Sequence, residues 1–221
     1  MGRIIVIGDV HGCLAELTDL LAKLSPGKDD QLIFLGDLVN RGPDSHGVVA
    51  LVRSLPNALS LLGNHELRLL QYRKDGESKK LKEFDWPTVR QLDEQDWKYL
   101  QGMKLTHYLP EFQTVCVHGG FLPNLPWDKQ GAEIVTRIQV IDADGRPRKR
   151  TDAPLARSWA DQWEGPPFVV YGHTPRPDVY RRPWSLGLDT GCVYGGYLSA
   201  CLLPQREIVQ VAAHKNYAVE E

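Results

Sequence analysis

Carboxylate, amide and imidazole side chains recur along this sequence at one kind of place, directly after a short apolar run. Residues 4–7, for example, lead into Asp9 and His11, and residues 168–171 lead into His173. A short apolar run that ends at glycine predicts a buried strand, and open α/β sheets bind ligands at the carboxyl ends of their strands. We therefore expect one cluster of these side chains, namely Asp9, His11, Asp37, Asn64, His118 and His173.

This set of oxygen and nitrogen donors predicts a metal site. Without thiolates, it suits Mn²⁺, Fe, Zn²⁺ or Co²⁺ better than a cysteine-based structural site. Six ligands exceed what one open catalytic ion needs, so the count favours two ions, about 3.5–4 Å apart, with a shared ligand. Two such ions can hold a bridging hydroxide and neutralise a phosphoryl group. Arg41 adds a guanidinium that matches phosphate oxygens.

Each of these motifs is weak when it is taken alone. A lone Asp-x-His is more often a turn than a metal site, and a single histidine is more often structural than ligating. The hypothesis therefore depends on the whole set of side chains occurring together at the ends of apolar runs.

The elements that must position these side chains alternate between strand and helix in the first half of the chain. Leucines at helical spacing predict a helix over 13–24, and further helices are predicted over 46–55 and from near His65. This alternation predicts a parallel sheet, and the Pro- and Gly-separated strands of the second half predict another sheet. Strands are predicted at 4–7, 32–35, 59–62, 114–117, 168–171, 186–189, 197–203 and 207–212.

The composition is that of a globular protein with one domain over residues 1–221 and a helical insertion or cap around 74–106. A net charge of −2 gives no reason to expect stable DNA binding, and no apolar run approaches the roughly 20 residues that span a bilayer. The chain enters its first strand at once, which leaves no room for a signal peptide, so we expect a cytoplasmic location. The four scattered cysteines are expected to be reduced thiols packed in the core: Cys13, Cys116, Cys192 and Cys201.

Two groups of basic residues could contact a substrate anion. A solvated loop is the simpler interpretation of the first group, and contact with an anion is the functional one. The first group comprises Arg146, Arg148, Lys149 and Arg150, and the second comprises Arg176, Arg181 and Arg182.

The ordered motifs resemble those of the phosphoprotein phosphatase family, which belongs to the calcineurin-like binuclear metallophosphoesterases. The resemblance runs from residue 4 to about residue 200, and residues 189–196 are similar to the family's closing segment. The five matching segments are 8–12, 36–42, 63–66, 118–120 and 172–173.

The resemblance implies an α/β fold, in which two mixed β-sheets pack as a sandwich flanked by helices. It implies catalytic roles for His65 as general acid and for Arg41 as a phosphate clamp. A second clamp arginine lies between the last two histidine motifs in this family, and Arg157 or a residue of the run 146–150, such as Arg148 or Arg150, could fill that place. The implied ligands of the first ion are Asp9, His11 and Asp37, and those of the second are Asp37, Asn64, His118 and His173.

The sequence departs from the family at Asn40, where an aspartate usually supports the catalytic histidine. An amide can still orient that histidine, but it brings no charge. The segments 40–45 and 172–175 are most similar to the symmetrical diadenosine-tetraphosphatase branch, although small bacterial and phage protein phosphatases share the second segment.

The function expected from the resemblance is metal-dependent hydrolysis of nucleotide polyphosphates, either diadenosine tetraphosphate or the 5′-triphosphate or capped end of RNA. Mn²⁺ is the expected metal, with Fe, Zn²⁺, Co²⁺ and Ni²⁺ as alternatives. A small Ser/Thr or dual-specificity protein phosphatase is the alternative enzyme, and an inactive metal-binding scaffold is the alternative outside enzymes. Intact ligands, together with His65 and Arg41, argue against the scaffold.

Overall fold

The computed structural model describes residues 2–218, in which helices and strands alternate along the first half of the chain. The α-helices of these residues are α1 (Leu14–Leu24), α2 (Ser45–Ser54), α3 (Asn64–Asp75), α4 (Asp85–Gln91), α5 (Glu94–Gln101) and α6 (Ala132–Val135). The strands of the first half are β1 (Ile4–Ile7), β2 (Gln31–Phe34), β3 (Ala58–Ser60), β4 (Thr106–Leu109) and β5 (Thr114–Val117). Those of the second half are β6 (Val140–Ile141), β7 (Pro147–Arg148), β8 (Arg157–Ser158), β9 (Phe168–Tyr171), β10 (Tyr180–Arg182), β11 (Ser185–Gly187), β12 (Tyr197–Leu203) and β13 (Glu207–Ala212).

The strands form two mixed five-stranded sheets and one small sheet. The first has the order β13-β12-β1-β2-β3. In this sheet β1, β2 and β3 are parallel, β12 is antiparallel to β1, and β13 is antiparallel to β12. The second has the order β10-β11-β9-β5-β4, with β11, β9 and β5 parallel. The third has the order β7-β6-β8. Both large sheets therefore present the carboxyl ends of parallel strands.

Alternation along the strands builds the sandwich, because successive side chains of a strand point to opposite faces. Ile5 and Ile7 of β1 pack in the cluster that contains helix residues such as Leu17. Ile4 and Val6 instead pack between the two large sheets, with Cys116 and Val170 among the residues of that cluster.

The other face of the second sheet is covered differently. Val115 and Val117 pack there against Val135, Trp159 and the small sheet. The covering layer on this side thus consists of the short helix α6, 3₁₀ turns and the small sheet. The fold is the α/β sandwich that the motifs implied.

Most predicted elements are confirmed, and the differences have local causes. The helix predicted over 13–24 begins at Leu14, and the region around 74–106, where a helical insertion or cap was expected, includes the two helices α4 and α5. They are separated because the carboxylate of Asp93 accepts a hydrogen bond from the backbone N–H of Asp96 and starts a new helix. The strands β4, β6, β7, β8 and β10 were not predicted from the sequence.

The structure also bears on the cysteines and on the length of the apolar helices. All four cysteines are buried free thiols, as expected. Within residues 2–218, no helix has the length and apolar character needed to cross a bilayer.

Candidate metal centre and active site

The six predicted ligands lie where five strands end. Asp9 and His11 follow β1, and Asp37 follows β2. Asn64 is the first residue of α3, after β3, while His118 and His173 follow β5 and β9 of the second sheet. These are the parallel strands of the two sheets, so the sandwich brings the predicted side chains to one edge of the molecule.

Asp37 is at the centre of this cluster. Its side chain is buried, and Oδ2 lies 3.3 Å from Nε2 of His118 and 3.6 Å from Nε2 of His11. The amide oxygen of Asn64 lies 3.1 Å from the same Nε2 of His118. Asp37 belongs to two groups with metal-ligand spacing, one with His11 and His65 and one with His118 and His173. This placement suits a residue that contacts two ions.

Three histidines are oriented as metal ligands because each directs one ring nitrogen to a backbone carbonyl. These contacts are 2.9–3.1 Å long and use Nδ1 of His11, Nδ1 of His118 and Nε2 of His173. A carbonyl only accepts, so the nitrogen that faces it carries the hydrogen. The second nitrogen of each ring is thereby left to bind a cation, an arrangement common around protein-bound metals. The carbonyls belong to Val39, Leu35 and Arg137, respectively.

The electrostatics of the cluster favour added positive charge. Burial lowers the pKa of His118, but the carboxylates of Asp37 and Asp9 outweigh burial and raise it to about 10. Burial and repulsion by Asp189 raise the pKa of Asp9 above its ordinary value. Burial lowers the pKa of His173 to about 3, and a neutral imidazole is the form that binds a metal. The donor set and its charge therefore fit divalent cations.

The backbone around the centre is constrained. His11, Asp37 and His173 have φ angles of 49°, 48° and 66°, which non-glycine residues adopt rarely. The loop that carries Asp37 is held by the buried carboxylate of Glu66, which accepts hydrogen bonds from the N–H groups of Asp37 and Leu38 at 3.0 and 2.7 Å. Such strain is tolerated where the surroundings fix the conformation, as they do here.

Two motif glycines allow close approach to the carboxylates. A Cβ atom at Gly172 would lie 2.0 Å from Oδ1 of Asp9, and one at Gly63 would lie 2.1 Å from Oδ1 of Asp37. These contacts explain why the motifs that supply His173 and Asn64 each begin with glycine.

His65 and Asn40 meet on one side of the centre. Nε2 of His65 is 3.9 Å from Oδ2 of Asp37, and Nδ1 is 2.9 Å from the amide nitrogen of Asn40. The ring of Phe84 stacks on His65 at 5.3 Å between centroids. The resemblance implied that Asn40 lies beside His65, and the two side chains are in contact in the structure.

A cavity of about 400 Å³ opens above the centre, and it contains some of the predicted substrate contacts. Arg41 and Arg150 line it, and Nη1 of Arg41 lies 3.1 Å from Nε2 of His11. Arg148 and Arg157 are not among its lining residues in the described chain. Nε of Arg148 instead donates to Asp142 at 2.9 Å, and Arg157 is exposed on β8.

Arg137 and Asp189 are among the residues of this cavity that sequence reasoning missed. Arg137 lines it and lies between the last two histidine motifs, where the resemblance implied a second clamp, but the nearby basic run drew the prediction away. Asp189 also lines it, two residues after β11, and burial raises its pKa to about 6. A carboxylate at the end of another parallel strand was the signal that could have identified Asp189.

The fold and the cluster define a binuclear metallophosphoesterase, and comparison with known proteins agrees. The family model described as calcineurin-like phosphoesterase matches residues 2–214, and the chain belongs to this family. Its members are metal-dependent hydrolases of phosphate esters and anhydrides that use a binuclear divalent metal centre. When bound, two divalent ions lower the pKa of water and neutralise the charge of phosphoryl oxygens.

Individual relatives match over nearly their whole length. The asymmetrical bis(5′-nucleosyl)-tetraphosphatases PrpE of Oceanobacillus iheyensis and Halalkalibacterium halodurans are 30% and 32% identical to this chain, with 99% and 98% of it and 96% of each relative aligned. A solved structure is similar as well, and its name gives diadenosine tetraphosphatase as a provisional assignment. It is 36% identical to this chain, with a TM-score of 0.84, and the match covers 96% of this chain and 94% of that one. The motifs had pointed to the symmetrical branch, whereas these two PrpE relatives are named asymmetrical.

Proposed function

We propose that this protein hydrolyses the anhydride bonds of nucleotide polyphosphates, with dinucleoside tetraphosphates as the preferred class. The observation that carries the proposal is the charge of the cavity, whose cations extend well beyond the metal ligands. One phosphate monoester needs only the metal centre and a clamp, whereas a polyphosphate chain carries further charges that need partners. The cationic side chains of the cavity are Arg41, Arg68, Lys80, Lys82, Arg137, Lys149 and Arg150.

The residues of the centre have distinct proposed roles. Asp9, His11 and Asp37 would hold one ion, and Asp37, Asn64, His118 and His173 the other, with Mn²⁺ the expected metal and Fe, Zn²⁺, Co²⁺ and Ni²⁺ as alternatives. Arg41 and Arg137 would bind the phosphoryl group that is transferred to water. His65 would donate a hydrogen bond to the leaving oxygen. Asn40, a neutral group beside His65, supports anhydrides over esters, because a departing phosphate depends less on a strongly supported acid.

The names of the PrpE relatives support asymmetrical cleavage. We therefore expect diadenosine tetraphosphate to give ATP and AMP, and not two molecules of ADP as the resemblance to the symmetrical branch implied. The same cavity charge would suit the triphosphate or capped end of an RNA, which makes such ends the second class to assay.

A substrate panel with Mn²⁺ tests the proposal. We expect kcat/KM to be highest for diadenosine tetraphosphate, lower for triphosphate-ended RNA, and lowest for phosphoserine and phosphotyrosine peptides. A phosphopeptide that is cleaved faster than every anhydride would overturn the proposal in favour of a protein phosphatase. A protein that binds metal but hydrolyses none of these substrates, nor p-nitrophenyl phosphate, would be a scaffold.

A paired set of variants tests the role of the cavity cations. Lys149→Ala/Arg150→Ala removes two charges from the cavity, whereas Arg146→Ala/Arg148→Ala removes two neighbouring charges that pair with Asp144 and Asp142 instead. The first pair should raise KM for diadenosine tetraphosphate about tenfold, and neither pair should change KM for p-nitrophenyl phosphate. If both double variants raised KM for diadenosine tetraphosphate equally, the effect would come from the overall charge of the basic run and not from contacts within the cavity.

A further inference from the structure

A buried polar network contacts Nδ1 of His65. The amide nitrogen of Asn40 is 2.7 Å from Oδ1 of Asp85 and 2.9 Å from Nδ1 of His65. Asp85, at the start of α4, and Asn40 are both completely buried. The carboxylate of Asp85 lies 45 residues from Asn40 along the chain and does not belong to any of the motifs.

The orientation of the Asn40 amide follows from its neighbour. A carboxylate accepts hydrogen bonds, so the amide group that faces Asp85 must be the nitrogen. Rotating the amide would place two oxygen atoms 2.7 Å apart. The two hydrogens of this nitrogen are therefore directed to Asp85 and to His65, while the amide oxygen of Asn40 has no hydrogen-bond partner in the described part of the chain.

Arg68 of α3 supplies a second donor to the same histidine. Its Nε and Nη2 bind the two oxygens of Asp85, each at 2.7 Å, which fixes the plane of the guanidinium. Nη2 also lies 3.2 Å from Nδ1 of His65. The carboxylate of Asp85 thus holds both Asn40 and Arg68 in place around one ring nitrogen.

The position of the hydrogen on His65 follows from these contacts. Both groups that face Nδ1 are N–H donors, so Nδ1 accepts and a neutral ring carries its hydrogen on Nε2. Nε2 is the atom on the side of Asp37, and the stacked ring of Phe84 fixes the plane of the imidazole. In the arrangement that the resemblance implied, an aspartate would accept a hydrogen bond from Nδ1 instead.

We propose that Asp85, acting through Asn40 and Arg68, is a positioning residue that fixes His65 with its hydrogen on Nε2, and thereby restricts hydrolysis to good leaving groups. This inference rests on the proposed function, because it concerns the leaving group of the same reaction. It extends that function by assigning the selectivity between anhydrides and esters to a particular set of hydrogen bonds.

The chemistry explains the restriction. In hydrolysis a water oxygen forms the new bond to phosphorus, its proton passes to solvent or product, and the electron pair of the broken bond stays on the leaving oxygen. A departing phosphate is stable as an anion and needs only the hydrogen bond from Nε2 of His65. A departing alkoxide needs a proton, which this imidazole does not supply, because the two N–H donors that face Nδ1 leave no place for a second ring hydrogen.

A purely structural role for this network makes a different prediction. If Asp85 and Arg68 only join α4 to α3, their loss lowers the melting temperature and slows all substrates equally. The pair of Asp96 and Arg53, at 3.0 Å, offers a control, since Asp96 is also completely buried but does not contact His65.

The first arm of the test reads the hydrogen position without any activity. Nitrogen-15 NMR of the metal-free protein, with the His65 signals assigned by their loss in His65→Asn, should show the hydrogen on Nε2. In the double variant Asn40→Asp/Asp85→Asn, the new carboxylate at position 40 faces Nδ1 of His65, and the new amide at position 85 lies on the far side of that carboxylate. The ring hydrogen should therefore move to Nδ1. A hydrogen on Nδ1 of the unmodified protein would overturn the inference.

The second arm measures the ratio of kcat/KM for diadenosine tetraphosphate to that for a simple alkyl phosphate. The double variant Asn40→Asp/Asp85→Asn should lower this ratio about ten- to a hundredfold. The control variant Asp96→Asn should lower the melting temperature by a similar amount but leave the ratio unchanged. An unchanged ratio in the double variant would overturn the inference. A protein that shows the hydrogen on Nε2 but cleaves no anhydride would instead refute the proposed function.

Discussion

His118 and His65 approach the same oxygen of Asp37, with Nε2 at 3.3 and 3.9 Å, yet their other nitrogens face opposite kinds of group. Nδ1 of His118 faces the carbonyl of Leu35, which only accepts, while Nδ1 of His65 faces the N–H groups of Asn40 and Arg68. With a cation bound, the first ring would therefore offer its lone pair to the centre, whereas the second would offer a hydrogen. The group behind each imidazole thus fits the role proposed for it, a metal ligand for His118 and a hydrogen-bond donor for His65.

This difference also separates the two sides of the centre in chemical terms. The ligand side collects carboxylate, amide and imidazole acceptors that need a cation. The other side, around His65, is called the donor side because it collects N–H donors and cations. Arg41 belongs to it, and its guanidinium carbon lies 5.0 Å from the centre of the Phe84 ring. A phosphoryl group bound between them would meet positive charge from both sides.

The largest expected effect comes from changing the ligand side at Asp37. Asp37→Asn removes the charge that both proposed ions share while keeping the size of the side chain. We expect a loss of activity above about 10³-fold and a metal content below two ions per chain, measured by elemental analysis. Two bound ions with near-normal turnover would contradict the central position of Asp37.

A smaller effect is expected on the donor side. His65→Asn should lower kcat for diadenosine tetraphosphate about 10²-fold, because one hydrogen bond to the leaving oxygen is lost. Metal content should stay unchanged, since His65 is not a proposed ligand. The loss should be smaller for p-nitrophenyl phosphate, whose leaving group needs less help, and equal losses on both substrates would argue against the donor role.

The ligand side could be predicted from the sequence because its information is local. Asp9, His118 and His173 each follow their own strand within two residues, and the topology of the fold then brings them together. The strands themselves were recognisable because continuous apolar runs such as 114–117 are buried on both faces.

The donor side could not be predicted in the same way. Asn40 was visible as a departure from the family, but its partner Asp85 lies in the region around 74–106, where the sequence singled out no residue. Arg150 and Arg148 were indistinguishable in the sequence, since both belong to one basic run. Only the turn around Asp142 determines that Arg148 pairs there while Arg150 reaches the cavity.

Arg137 offers a way to sharpen the comparison at the phosphate itself. Arg137→Ala should raise KM for diadenosine tetraphosphate about tenfold with little change in metal content. Glu133→Gln is the matched control, because it removes the partner 3.0 Å from Nε of Arg137 but keeps the guanidinium. Raised KM values in both variants would show that the ion pair matters, and not a contact with phosphate.

The smallest effect on activity is expected at the opposite end of β1, where Asp30 accepts hydrogen bonds from the backbone N–H, Nε and Nη2 of Arg3 at 2.7, 3.0 and 2.6 Å. These hydrogen bonds lower the pKa of Asp30 to about 2, against about 3.9 for an unperturbed aspartate. The contribution to stability is therefore complete above about pH 4 and is lost as the pH falls towards about 2. Because the Arg3 side chain is 42% exposed, solvent screening keeps this contribution small.

Asp30→Asn should accordingly lower the free energy of unfolding by roughly 1–2 kcal/mol near neutral pH, and by less near pH 3, measured by urea denaturation. Activity on every substrate should stay the same, because the pair lies at the amino end of β1 and the centre lies beyond its carboxyl end. This variant calibrates the others, since it shows what a loss of stability alone does to turnover. If Asp30→Asn lowered kcat as His65→Asn does, the losses at the centre would reflect the folded fraction and not the two kinds of histidine.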